Sequence, residues 1–317
     1  MTDGGEKAAT LEEVAGRRAM HRVLLHRRDS IGSAYHVLTF ESERAIHVAP
    51  GQFAMVRSET WGAAPLLPRP MSLLAGGHRP SILIKVVGEG TRRMAVASSG
   101  EPFHLLAPLG KPWTKVPEGA RPLLVAGGVG VAPLLFLARA LSVSTVPQAA
   151  PVPGAPSALL VSTAPKASAA PTPRERPLAL YGGRTSADLP FERELAAVSE
   201  MRVSTEDGSR GTKGRVTALL AAALDELAAQ SQAVKVYTCG PHGMMAAVAA
   251  MCAERGVACE VSLETPMGCG YGVCLGCPVP RTAGGYLYAC TEGPCVDAST
   301  IDWGGASGAP NAGGRAT

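Results

Sequence analysis

Four cysteines near the carboxyl end constrain this chain more than any other feature. They stand in Cys269-Gly-Tyr-Gly-Val-Cys274-Leu-Gly-Cys277 and, further on, in Cys290-Thr-Glu-Gly-Pro-Cys295. Four residues lie between the first and second thiols and two between the second and third, the spacing of plant-type [2Fe–2S] ligation. Glycines between the thiols let the backbone wind tightly and turn its N–H groups toward sulfur. A zinc ribbon needs two separated C-x2-C knuckles, and only Cys274 and Cys277 form one; a disulfide pair and inert buried thiols are the other readings. The iron–sulfur reading takes Cys269, Cys274, Cys277 and Cys290 as ligands and leaves Cys295 spare.

The remaining composition fits such a protein. A chain of 317 residues has room for two ordinary domains and a small appendage. No apolar run approaches the twenty or so residues of a membrane span, and the start, Met1 to Arg18, lacks the apolar core of a signal peptide. The expected location is the cytoplasm, where eight cysteines read as metal or redox ligands rather than as a disulfide framework. A net charge of +4, with Lys and Arg scattered rather than interleaved with aromatics, argues against a nucleic-acid partner.

Taken in order, residues 1–18 form a lead-in without pattern. From Met20, short apolar or alternating runs (His21–Leu25, Ala34–Phe40, Gln52–Arg57, Met71–Leu74, Ser81–Val87 and Glu101–Leu106) are separated by turn formers such as Pro50-Gly51, which predicts an antiparallel β-barrel over 19–112. Arg69-Pro70-Met71-Ser72 opens one of these strands. Gly88-Glu-Gly90-Thr91 follows another and leads into a helix expected over Arg92–Ser98. A guanidinium beside a hydroxyl, with N–H groups at a helix start, suits a diphosphate, although each motif alone is also compatible with a plain turn.

The pattern then changes. Arg121 to Gly127 is an apolar strand that turns through Gly127-Gly128-Val-Gly130-Val-Ala-Pro133 into a helix, an arrangement that brings backbone amides to a nucleotide pyrophosphate or simply packs a tight turn. A proline-rich segment, 142–176, reads as an insertion, with Ala158–Val161 as a possible strand within a loop. Alternation resumes with strands at Pro177–Gly183, Met201–Thr205, Val234–Cys239 and Cys259–Glu264 and helices at Phe191–Glu200, Val216–Ala229 and His242–Arg255. Over 113–264 this predicts a mostly parallel, Rossmann-like sheet with ligands at the carboxyl ends of its strands. Cys239-Gly240-Pro241 sits at one such end, its thiol either a small core residue or a neighbour of nicotinamide. The cysteine unit is expected over 265–303, with Tyr286–Ala289 in a small hairpin, and a disordered tail over 304–317.

Together, Arg69–Ser72, Gly90-Thr91, Gly127–Pro133, Tyr181-Gly-Gly-Arg184, Cys239–Pro241 and the four cysteines resemble the ferredoxin–NADP reductase superfamily, and within it the electron-transfer subunits of NAD-dependent (class 1B) dihydroorotate dehydrogenases. The resemblance spans roughly Met20 to Asp297 apart from the insertion. Pro70 and Met71 depart from the Arg-x-Tyr-Ser motif of the broader superfamily and fit the dihydroorotate branch. The resemblance implies that Arg69, Pro70, Met71 and Ser72 hold the FAD ring edge and phosphate, that Leu83, Ile84 and Lys85 line its adenosine side, and that Gly90 and Thr91 donate to its diphosphate. It places Gly127, Gly128, Gly130 and Pro133 under NAD, with Cys239, Gly240 and Pro241 near the nicotinamide. It also supports Cys290 over Cys295, because the last ligand in the family is followed by a Gly-Pro like Gly293-Pro294.

The implied activity is an oxidoreductase relay in pyrimidine (UMP) biosynthesis, from FMN in a dihydroorotate dehydrogenase catalytic subunit through [2Fe–2S] and FAD to NAD+. The expected assembly is a heterotetramer of two plus two, and no residue of this chain acts on dihydroorotate. Glu206-Asp207 after a strand end favours NAD over NADP, with Arg184 and Arg210 arguing the other way. A flavin and iron–sulfur subunit of another NAD(P)H oxidoreductase (ferredoxin:NADP, sulfide dehydrogenase or hydrogenase) shares these motifs, and a zinc-stabilised binding module is the reading from a different class.

Overall fold

The computed structural model describes residues 17–32, 34–143 and 176–304. Most of the expected lead-in, nearly all of the proline-rich insertion with its Ala158–Val161 patch, and the tail beyond Gly304 lie outside the described residues.

Six strands close the barrel: β1 (Ala19–Ile31), β2 (Tyr35–Glu41), β3 (Phe53–Ser58), β4 (Arg69–Ala75), β5 (Ser81–Lys85) and β6 (Pro102–Leu109), with helix α1 (Glu89–Val96) between the last two. Their order is β1-β2-β5-β4-β3-β6, and every pairing is antiparallel. The period of two along each strand decides what fills the barrel. Val23 and Leu25, Leu38 and Phe40, Ile82 and Ile84, and Phe103 and Leu105 all pack inside, with Met94 of α1 added to the same core. α1 begins earlier than the sequence suggests because Gly88 is extended and the Thr91 hydroxyl accepts from the N–H groups of Val87 and Gly88 (2.9 and 3.1 Å), closing the first turn before Arg92.

The second layer system runs β7 (Arg121–Gly127), α2 (Val131–Val143), β8 (Leu178–Gly183), α3 (Glu192–Val198), β9 (Glu200–Thr205), β10 (Thr212–Lys213), α4 (Val216–Ala229), β11 (Val234–Cys239), α5 (His242–Glu254) and β12 (Ala258–Ser262). The helix expected to reach Glu200 stops at Val198, since the Glu200 N–H is taken by the Pro177 carbonyl and opens β9. Strand order β10-β9-β8-β7-β11-β12 is parallel throughout, and the direction of winding reverses beside β7. A crevice opens at such a reversal, outside the carboxyl ends of the strands. Helices cover both faces. Leu123 and Val125 face the α4 and α5 side, while Leu124 and Ala126 face α2, where Tyr35, Leu74 and Leu83 of the barrel join the packing.

After β12 come the cysteine loop, the hairpin β13 (Pro278–Pro280) and β14 (Tyr286–Tyr288), and β15 (Cys295–Asp297). β15 returns to pair antiparallel with β12 as the seventh strand of the large sheet, a contribution with no period for so short a segment to display in the sequence. The fold is therefore an antiparallel barrel, a mainly parallel α/β sheet and a small carboxyl-terminal cysteine unit, as expected. None of the described helices is long and apolar enough to cross a membrane.

Candidate functional site

The four cysteines come together as two pairs. The Cys269 sulfur accepts main-chain N–H groups from Tyr271 and Cys274 (3.4 and 3.5 Å), and the Cys274 sulfur accepts that of Gly276 (3.4 Å). Burial opposes ionisation of Cys269, but the N–H groups of Cys274 and Tyr271 and the neighbouring Cys274 thiol outweigh it and bring its pKa down to about 6. Cys290 is pushed up to about 12, by burial and then by the Cys277 thiol bonded to it, with Cys269 acting from further off. Two pairs of sulfurs, one bathed in N–H donors, fit a two-iron centre in which each iron takes two thiolates. Cys295 lies apart, buried against the Gly51 carbonyl.

The cysteine loop is seated on the barrel. Gly270 has φ +81°, and a Cβ there would lie 2.4 Å from Met55 Cγ and 3.1 Å from Leu109 Cδ1, so only glycine permits this approach. Met55 stands opposite Pro70 in the β3–β4 ladder. The strand carrying Arg69 to Ser72 is thus one strand away from the cluster loop. The link between Cys290 and Cys295 packs on the barrel too, with the Lys111 N–H bonded to Gly293 O (2.6 Å).

Two motifs distant in sequence meet at the amino end of α1. The Arg69 side chain runs across Gly90, where a Cβ would fall 2.7 Å from Nε, and its Nη1 donates to Leu67 O (2.9 Å). Thr91 is buried and its hydroxyl is committed to the cap, which leaves the main-chain N–H groups of this first turn, beside the guanidinium, as the donors suited to a diphosphate. Pro70, Met71 and Ser72 are all partly exposed. Leu83 and Ile84 are not: one packs between barrel and sheet, the other inside the barrel, so neither side chain lines a flavin as the resemblance implies.

A cavity of about 440 Å³ occupies the crevice and is lined by Lys85, Gly127, Gly128, Gly182, Gly183, Arg184, Asp188, Glu206, Arg215, Pro241 and Met244, among others. Gly127, Gly128 and Pro241 of the set expected at NAD are in its wall, and so is Lys85, which the resemblance places instead on the adenosine side of FAD. Gly130, Pro133, Cys239 and Gly240 are not in that wall. A Cβ on Gly130 would lie 2.3 Å from Cys239 O, and one on Gly240 would lie 3.0 Å from Gly127 Cα, so the two turns abut. The Pro133 carbonyl accepts Trp113 Nε1 (3.3 Å). Cys239 is only 2% exposed, and burial pushes its thiol well above the usual range, with Glu264 adding to the shift and a hydrogen bond from Ser262 opposing it. It packs as a small core residue.

Lys85 marks where the barrel meets this cavity. Its ammonium pairs with Asp188 Oδ1 (3.0 Å), and the Tyr35 hydroxyl donates to the same oxygen (3.1 Å). Asp188, Tyr35 and Met244 carry no sequence motif. Met244 was within reach of inference, as it falls in the first turn of the helix that follows Cys239-Gly-Pro.

Comparison with known proteins matches two stretches of the chain to families. Residues 264–302 match the iron–sulfur cluster binding domain of dihydroorotate dehydrogenase B, and residues 124–250 match the oxidoreductase NAD-binding domain. The electron transfer subunit of dihydroorotate dehydrogenase B (NAD(+)) from Bacillus caldolyticus is 35% identical over 260 residues, 80% of this chain and 86% of the relative. This chain belongs to that family. A probable member from Methanopyrus kandleri is 32% identical, over 81% of this chain and 82% of its own length. In fold, the chain is similar to a solved structure of NADH-dependent reduced ferredoxin–NADP oxidoreductase, with TM-score 0.69 and 23% identity over 90% of this chain and 91% of that one. A ferredoxin reductase of carbazole 1,9a-dioxygenase shares it at TM-score 0.58 and 17% identity, over 75% and 66% of the two chains.

Proposed function

We propose that this chain carries electrons from FMN in a catalytic dihydroorotate dehydrogenase subunit, through a [2Fe–2S] cluster and FAD, to NAD+ in pyrimidine biosynthesis. The assembly in this reading is a heterotetramer of two copies of each subunit, located in the cytoplasm. Residues 19–112 bind FAD, 113–264 bind NAD and 265–303 bind the cluster. The observation that carries the proposal is the seating of Gly270 on Met55, opposite Pro70, because it sets the cysteine loop one strand away from the strand that bears the flavin motif.

Bound flavin exchanges electron pairs with nicotinamide and single electrons with an iron–sulfur centre, so it belongs between the two. The chain's own residues position and shield. Cys269, Cys274, Cys277 and Cys290 supply four thiolates, and the N–H groups of Tyr271, Cys274 and Gly276 stabilise negative charge on sulfur. Arg69 and the α1 amino end, with Gly90 and Thr91, hold the flavin diphosphate, while Pro70, Met71 and Ser72 flank its ring. Gly127, Gly128 and Gly130 admit the NAD pyrophosphate, and Gly240 and Pro241 border the nicotinamide. No general acid or base for dihydroorotate is required here, since that chemistry belongs to the catalytic subunit.

Co-purification with the endogenous partner, followed by assay of NAD+ reduction by dihydroorotate, tests this. The expected result is an FMN-containing partner and dihydroorotate-dependent NADH formation. A chain that oxidises NADH but never associates with such a partner would return the assignment to another flavin and iron–sulfur reductase. A colourless protein would favour the zinc-stabilised module.

A further inference from the structure

The amino-terminal end of β1 reaches the cysteine loop. Ala19 and Met20 pair with Ala107 and Leu106 of β6, and Leu106 in turn pairs with Met55, on which Gly270 is seated. Arg18, the residue just before β1, therefore leaves the barrel beside the loop. Its guanidinium carbon lies over the Tyr271 ring, 5.5 Å from the centroid, within the reach of a cation–π contact. Tyr271 stands between Gly270 and Gly272, both in the left-handed region (φ +81° and +92°), so its ring is the one side chain by which this bend can be held from outside.

The main chain of this bend faces sulfur. The Tyr271 N–H donates to the Cys269 sulfur (3.4 Å), and the next N–H, that of Gly272, stabilises negative charge on Cys290. Cys269 belongs to one sulfur pair and Cys290 to the other, so a single bend serves both. The fit there is close: a Cβ on Gly272 would lie 2.8 Å from Cγ2 of Thr291, the residue after Cys290. A bend flanked by glycines has little stiffness of its own. Gly270 rests its inner side on Met55, and Arg18 grips its outer side through the tyrosine ring. N–H groups aimed at thiolate sulfur favour the more negative, reduced state of an iron–sulfur centre and so raise its potential.

Building on the reading of the four cysteines as a [2Fe–2S] site, we propose that Arg18 is a positioning residue for the cluster: through the Tyr271 ring it holds the bend whose N–H groups face Cys269 and Cys290, and thereby raises the cluster's reduction potential. The grip is that of a cation on the face of an aromatic ring. Arg18→Lys and Tyr271→Phe therefore keep it, whereas Arg18→Gln and Tyr271→Leu release it.

The test is a redox titration of the full chain, with flavin and cluster loaded, in which the reduced cluster is followed by its electron-spin spectrum, alongside the rate at which a chelator strips the iron. In Arg18→Gln the one-electron equilibrium is expected to move about threefold toward the oxidised cluster, the worth of an exposed cation–π contact, which is a fall of about 30 mV in potential. Iron release quickens by a similar factor. Tyr271→Leu gives the same shift, and Arg18→Lys restores the potential. In the Tyr271→Leu background, Arg18→Gln adds nothing, because the two residues act as one unit. An unchanged potential in Arg18→Gln overturns the proposal. So does a full shift in the Tyr271→Leu background, which would mean that the charge acts on the cluster directly rather than through the ring. Tyr271→Leu against Tyr271→Phe serves the same comparison if Arg18→Gln does not fold. A wild-type chain that binds no iron refutes the cluster reading itself; one that binds iron at a potential indifferent to Arg18 refutes only the role given to Arg18.

Discussion

The Lys85 ammonium lies 3.0 Å from the Asp188 carboxylate and joins the end of barrel strand β5 to the turn after β8, in the wall of the crevice cavity. Tyr35 adds a hydroxyl to the same oxygen, so one carboxylate fixes two barrel strands against the α/β sheet. Burial by itself would raise the Asp188 pKa, but the Lys85 and Tyr35 hydrogen bonds and the Lys85 charge hold it below the usual carboxylate range. Lys85 is likewise raised, burial being outweighed by its bonds to Tyr35 and Asp188.

A depressed carboxylate stabilises above its unfolded pKa and loses that contribution as pH falls through the folded value. A raised amine stabilises below its unfolded pKa and loses it as pH climbs through the folded one. The contact therefore holds from just above the ordinary carboxylate range to the ordinary lysine range and weakens outside both limits. Asp188→Asn is expected to cost about 1–3 kcal/mol and to slow NADH oxidation, with the stability difference from wild type shrinking in acid. Denaturant melts at several pH values check it; a difference that does not change with pH would sink the assignment.

Individual replacement of Cys269, Cys274, Cys277 and Cys290 by serine should abolish iron–sulfur absorption and lower the iron content, while flavin remains. Cys295→Ser should retain the cluster, since that sulfur lies apart against Gly51. Metal analysis with visible and electron-spin spectra distinguishes the two outcomes, and cluster loss on changing Cys295 would show the ligand set to be wrong.

Gly270→Ala places a Cβ against Met55 in a left-handed backbone conformation, at an expected cost of about 1–3 kcal/mol. The loop must lift from the barrel. Iron content should stay close to wild type while the rate at which NADH reduces the cluster falls about tenfold or more, as read by stopped-flow absorption. An unchanged rate would mean that the Gly270–Met55 contact does not set the transfer distance.

Gly130→Ala drives a Cβ into the Cys239 carbonyl, 2.3 Å away. The turn that forms the cavity floor has to shift, and NAD+ affinity should drop about tenfold while the flavin spectrum is preserved. Equal loss of flavin would indicate general unfolding instead.

Much of this was written in local sequence. The thiol spacing from Cys269 to Cys277 needs no tertiary context, because the metal chemistry fixes it, and the switch from period-two strands to alternating strands and helices separates barrel from sheet. Helix ends were less legible: a Thr91 hydroxyl closing its own cap and a Glu200 N–H captured by Pro177 decide them, and neither partner is visible from periodicity. β15 is too short to announce itself and exists as a strand because β12 offers it an edge.

The sequence alone determined which cofactor chemistries this chain can support, since cluster, flavin and nucleotide motifs depend on residue type at close spacing. Tertiary structure decided how they are arranged. Gly270 meets Met55, Lys85 meets Asp188 and Arg18 meets Tyr271 only after folding, because each is a contact between segments whose separation along the chain carries no signal. Distance governs electron transfer, so the arrangement turns a set of motifs into a relay.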